Sequence, residues 1–121
     1  LLSFDAISSM AHILEFAAKA GKPLGDLVES IPSFHLQKKK IPCAWKDKGR
    51  VMRRLIEETR GDDVELVDGI NVHHPEGWAL VLPDPEKPFY QVYSEAYSEE
   101  IADSLTDMYI QKIKDIQSNE T

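Results

Sequence analysis

The sequence predicts an α+β fold in which an antiparallel sheet carries helices on one face. Three observations point there. Helical apolar periodicity occupies residues 4–18, 45–59 and 98–116 of the 121-residue chain. Between them, short apolar runs are separated by Asp68-Gly69 and Pro75-Glu76-Gly77, turn sequences that join antiparallel neighbours. Antiparallel hairpins with helices at the ends of the chain also argue for the α+β class. Composition permits a core: 42% of residues are hydrophobic and 29% charged, ordinary globular values.

The first helix shows Phe4, Ile7, Met10, Ala11, Leu14 and Ala18 on one face, with Ser3 as a candidate N-cap and Asp5 in the first turn. Gly21 is a suitable stop, and Pro23 follows it. A short second helix fits residues 24–31, ended by Pro32, which disfavours helical geometry in the residue before it. Residues 34–40 alternate as a strand with a basic end, and Pro42 breaks it. A third helix over 45–59 would bury Trp45, Met52, Leu55 and Ile56. Its wet side carries Arg53 with Glu57 and Arg54 with Glu58, each pair worth roughly 0.2–0.5 kcal/mol.

A meander follows. Residues 64–67 and 70–73 flank Asp68-Gly69, a turn whose two central residues favour positive φ. The continuous apolar run 78–82 reads as a central strand, 83–88 as a loop, and 89–96 as a last strand. In that strand Tyr90, Val92 and Ala96 face one way, and Phe89, Gln91 and Tyr93 the other. Ser98 caps a final helix with the apolar stripe Ile101, Leu105, Met108, Tyr109, Ile113 and Ile116. A domain boundary is expected near Pro32 and Ser33, giving segments 1–32 and 33–121. The chain starts at Leu1 within an amphipathic pattern and reads as a piece of a longer protein.

The formal net charge of -7 repels phosphate backbones, so a nucleic-acid partner is not expected. No apolar stretch reaches the roughly 18 residues that span a bilayer, and no basic segment precedes an apolar one as in a signal peptide, so no membrane partner is expected. Cys43 is the sole cysteine, which excludes an internal disulfide and fits a cytoplasmic location.

The order Asp68-Gly69, then Gly77-Trp78, then a proline-bounded loop, then Tyr93-Ser94-Glu95-Ala96 resembles the last domain of the α-D-phosphohexomutases, the family of phosphomannomutase and phosphoglucomutase. Residues 49–55 resemble the helix before that domain's hairpin. Asp5-Ala6 through Gly21-Lys22-Pro23-Leu24 resembles the closing helices of the family's third domain, so the resemblance covers nearly the whole chain. It implies an antiparallel sheet backed by helices, similar to the TATA-box-binding-protein fold. It further implies partners in upstream domains of the same polypeptide, and it leaves a homo-oligomer open. The family's phosphoserine and magnesium loop belong to those earlier domains. No cofactor is therefore expected in this segment, and Mg2+ only in the longer parent.

In the family the loop between the last two strands reads R-P-S-G-T-E-P and grips the sugar's phosphate. Here it is Leu82, Pro83, Asp84, Pro85, Glu86, Lys87, Pro88. The guanidinium and both hydroxyls are gone, and Pro85 has no N–H and cannot take glycine's positive φ. Asp84, Glu86 and Lys87 sum to a formal charge of -1. Like charges at 4 Å repel by about 1 kcal/mol in water, and by several at a lower dielectric. The loop is therefore expected to reject a sugar phosphate; Lys87 reads as a solvated loop lysine, with a relocated phosphate ligand as the alternative.

The leading expectation is a non-catalytic module, with no catalytic residue in this segment. Its degenerate loop resembles the branch in which a mannose-1-phosphate guanylyltransferase, a nucleotidyltransferase, is fused to a phosphomannomutase-like region. The alternative is the substrate-phosphate-binding domain of an active phosphomannomutase or phosphoglucomutase. A nucleic-acid module rests on fold analogy alone, and the charge opposes it.

Other candidates read as structural. His73 and His74 are adjacent on a strand, so they point to opposite faces and do not share a metal ion. Neither His12 nor His35 has a Cys or carboxylate at metal-ligand spacing. Cys43 reads as a buried, inert thiol. Lys38, Lys39 and Lys40 read as protection of a strand edge. Trp45 and Trp78 could stack on a sugar, but both lie on apolar faces and read as core. Asp84 with Glu86 lacks the apolar pocket that would tune a carboxylate pair.

Overall fold

A computed structural model describes residues 5–119 and contains two compact units, one ending at Ser33 and the other starting at Phe34. The first holds α1 (Ala6–Ala20) and α2 (Leu24–Glu29). Asp5, not Ser3, caps α1: its Oδ1 accepts the N–H groups of Ile7 and Ser8, each at 3.0 Å. Ser3 and Phe4 lie outside the described residues. Gly21 closes α1 with φ +63° in the left-handed region. No residue of α1 or α2 is buried, and Ile7 is 78% exposed.

The second unit runs β1 (His35–Pro42), α3 (Trp45–Glu58), β2 (Asp63–Glu65), β3 (Ile70–His74), β4 (Gly77–Pro83), β5 (Phe89–Ala96) and α4 (Glu99–Ser118). The sheet order is β1-β5-β4-β3-β2 and every pairing is antiparallel. The expected α+β class and hairpin succession are thus present, with β4 in the middle. At the Asp68-Gly69 turn only Asp68 has positive φ, at 58°. Leu66 and Val67, expected in a strand, are exposed linker residues.

One sheet face is covered. Val72, Ala79, Val81, Tyr90 and Val92 pack with Val51 and Leu55 of α3 and with Tyr109, Ile113 and Ile116 of α4. Ser94, also on this face, donates its hydroxyl to Ala102 O and lies in hydrogen-bond contact with Thr106 Oγ1, which locks β5 to α4. At the sheet edge Lys39 Nζ lies 2.7 Å from Asp103 Oδ1 and 2.6 Å from Asp107 Oδ1. The hydrogen bonds that Lys39 donates to those carboxylates, Asp103 first, hold its pKa above the ordinary lysine value.

The other face carries neither α3 nor α4, and two expectations are corrected. Trp78 lies on the open face, half-buried beside Leu80 and Leu82, rather than in the core. Trp45 is 54% exposed at the start of α3, where the ammonium of Lys48 sits 4.0 Å from its ring centre. Met108 is likewise exposed, while Ala102 and Thr106 take buried places on α4.

Candidate functional site

The β4–β5 loop, residues 83–88, is closed by its own hydrogen bonds. Asp84 Oδ1 accepts the backbone N–H of Glu86 at 3.0 Å and of Lys87 at 2.9 Å. Its Oδ2 accepts Gln91 Nε2 at 2.8 Å, and Gln91 Oε1 in turn accepts the Tyr93 hydroxyl at 2.6 Å. An aspartate bonding backbone N–H groups two and three residues on is the familiar Asx arrangement of turns. Desolvation is the largest single influence on Asp84 and pushes its pKa up. The Glu86 N–H, the Gln91 amide, the Lys87 N–H and the Lys48 charge together outweigh it and hold the carboxyl below its usual range.

A second set of bonds anchors the loop from α3. Lys48 Nζ donates to the carbonyl of Asp84 and to that of Lys87, the latter at 2.6 Å. Tyr90 donates its hydroxyl to Lys48 O at 2.7 Å, and the Cys43 N–H donates to Pro88 O at 2.9 Å. Burial pushes the Tyr90 phenol up to about 12, so it stays a donor across the physiological range. Burial also raises the Cys43 thiol, consistent with an inert core cysteine.

Of the residues expected at this site, Leu82 lies half-buried on the open sheet face, and Pro85, Glu86, Lys87 and Pro88 are exposed along the loop. In the sequence Asp84 is a charge that repels phosphate; in the structure it also consumes the loop's donors. Sequence reasoning missed Lys48, Gln91 and Tyr93. Gln91 and Tyr93 had a usable signal, since both share the strand face opposite Tyr90. Lys48 had none, being 36 residues from Asp84.

The remaining candidates separate as their spacing implied. His73 faces Glu65 at 3.7 Å on the open side, whereas His74 Nε2 meets the Tyr109 hydroxyl at 3.0 Å on the helical side. Among the described residues no three His, Cys, Asp or Glu side chains converge as a metal site. A cleft of about 550 Å³ at the opposite end of β4 is lined by Glu76 and Glu100 with His74 and Ser104, and by no lysine or arginine. No helix among the described residues is long and apolar enough to cross a membrane.

An antiparallel five-stranded sheet with two helices on one face and a proline-bounded loop between β4 and β5 is the arrangement that the sequence resemblance implied. No family model matches the chain. Among curated proteins, it is 32% identical over 112 residues to a probable phosphoglucosamine mutase of Methanopyrus kandleri, covering 91% of this chain and 25% of that protein. It is 31% identical over 122 residues to the phosphoglucosamine mutase of Methanocaldococcus jannaschii, covering 97% and 27%. A phosphoglucomutase/phosphomannomutase of Thermococcus kodakarensis is 27% identical over 117 residues, covering 95% and 25%. A crystal structure of a phosphoglucomutase/phosphomannomutase family protein from Burkholderia thailandensis shares the fold, with TM-score 0.71 at 20% identity over 97% of this chain and 25% of that one. The chain belongs to the α-D-phosphohexomutase family and corresponds to its C-terminal domain. It spans about a quarter of the length of these relatives. They are mutases, and they lend no support to the guanylyltransferase fusion expected from the loop.

Proposed function

We propose that this chain is the sugar-phosphate-facing domain of a phosphohexomutase-like protein, and that its β4–β5 loop is closed on its own carboxylate. The parent's substrate class would be a hexose or hexosamine phosphate, as the names of the relatives suggest. The helices α1 and α2 would then close the preceding domain of such a parent. The observation that carries the reading is the seat of Asp84. A phosphate at this loop would need backbone N–H groups and side-chain donors. The N–H groups of Glu86 and Lys87, the Gln91 amide and the Lys48 ammonium already serve acceptors within the chain. Binding would have to break those bonds and bring a dianion beside Asp84 and Glu86. A second reading, a domain that grips phosphate in an active mutase, is favoured by the relatives being mutases. It requires Asp84 to swing away and Lys48 and Lys87 to turn inward.

Amide shifts during titration with mannose 1-phosphate or glucose 6-phosphate separate the two. The closed loop predicts no saturable shifts at residues 84–87 at sub-millimolar ligand. It also predicts gained affinity in the combined variant Leu82→Arg, Asp84→Ser, Pro85→Gly, Glu86→Thr. Saturable shifts in the unaltered chain would establish the second reading instead.

A further inference from the structure

One row across the open face of the sheet is charged at its two edges in a self-complementary way. Directly opposed residues of an antiparallel pair share a face. Register therefore places one row across all five strands: Lys38 opposite Tyr93, Tyr93 opposite Leu80, Leu80 opposite Asn71, and Asn71 opposite Glu65. The row starts with a cation on β1, crosses an apolar centre on β4, and ends with an anion on β2. In the adjacent rows Trp78 and Leu82 extend the apolar centre along β4; the Trp78 row runs from Leu36 through Glu95 to His73 and Asp63 and does not repeat the edge pairing. Lys38 lies 4.8 Å from the centre of the Tyr93 ring, and among the described residues its ammonium meets no carboxylate. Among the same residues Glu65 has only His73, at 3.7 Å. Lys38 and Glu65 are both exposed.

We propose that this face docks a second copy of the chain, face to face, about a two-fold axis parallel to β4. The charge pattern selects that axis. Rotation about it carries the β1 edge of one copy over the β2 edge of the other and leaves each row at its own level. Lys38 of each copy then meets Glu65 of the other, twice per dimer, and Leu80 meets Leu80 at the centre. A two-fold axis running across the strands would instead stack Lys38 on Lys38. Each edge strand lies about 10 Å from β4, and packed sheets rotate by about 30°. The edges therefore shift by about 5 Å, which a lysine and a glutamate can span. Such an interface is isologous, as most homodimer contacts are. The edge charges set its register and partner more than its strength.

The test is sedimentation equilibrium of the 121-residue chain up to about 1 mM, with Lys38→Glu and Glu65→Lys made singly, together in one chain, and mixed as two single variants. Circular dichroism confirms that each variant is folded. The expected result is a concentration-dependent dimer that each single reversal weakens at least tenfold. The double variant should recover it. So should the equimolar mixture, because both carboxylates of the Lys38→Glu copy then face both ammonium groups of the Glu65→Lys copy. Recovery in the mixture is particular to this pairing. A dimer insensitive to both reversals, as association through the exposed apolar residues of α1 would give, overturns the proposal. So does a monomer throughout, whether the face stays wet or another part of a longer polypeptide covers it.

Discussion

The helices α1 and α4 are both amphipathic and both capped, yet they end in opposite states. Along α4, Ala102, Leu105, Thr106, Tyr109, Ile113 and Ile116 are buried against the sheet and α3. Along α1 nothing is buried, and Ile7, Met10, Leu14 and Phe16 are each more than half exposed. Periodicity reports which side of a helix suits an apolar neighbour, whereas burial depends on that neighbour being present. The stability of this chain should therefore be concentrated in the sheet unit, and equivalent substitutions in the two helices should differ widely.

The largest contrast is expected between Ile113→Ala and Leu14→Ala. Ile113 is fully buried, so its truncation should cost about 2–5 kcal/mol through lost burial and a cavity. Leu14 is 63% exposed, and its truncation should stay within about 0.5 kcal/mol. Urea unfolding followed by tryptophan fluorescence reports the sheet unit, where both Trp45 and Trp78 lie. Equal shifts for the two variants would show that α1 shares the core after all.

A smaller loss is expected from Gly77→Ala in β4. Its φ is unremarkable, but a Cβ there would collide with the carbonyl of Glu95 on the paired strand. Backbone cannot step aside as a side-chain tip can, so the cost should be about 1–3 kcal/mol. The midpoint of the same urea curve measures it. An unchanged midpoint would mean the β4–β5 pair is looser than its register implies.

How much of this was legible follows from where each signal resides. Turns were legible because Asp68-Gly69 and Pro75-Glu76-Gly77 act locally, and the strands between them then had to pair antiparallel. Full burial of Tyr90 and Val92 against half-burial of their neighbours was legible from alternation. The run 78–82 was legible as a central strand, and β4 is the middle one; that Trp78 would lie on the open face rather than in the core was not legible from it. Trp45 misled because a helical stripe does not reveal that its first turn overhangs the core. At the loop, residue identities already showed the loss of the guanidinium and hydroxyls. That Asp84 would fold back onto its own N–H groups was implicit in its turn position, and the grip of Lys48 from α3 existed only in three dimensions.

The smallest expected effects come from the two caps, and they sharpen the contrast between the helices. Ser98 accepts the Ile101 N–H at 3.3 Å, and Asp5 accepts two N–H groups at 3.0 Å each. By local geometry Asp5 is the better cap. Its removal should nonetheless matter less to unfolding, because α1 buries nothing that a cap could help hold in place. Ser98→Ala should lower the stability of the sheet unit by about 1 kcal/mol. Asp5→Ala should leave the urea midpoint unchanged, and should appear instead as faster amide exchange at Ile7 and Ser8, whose N–H groups lose their acceptor. A midpoint shift for Asp5→Ala as large as that for Ser98→Ala would mean that the two units unfold together. The contrast between α1 and α4 would then be one of exposure alone, not of stability.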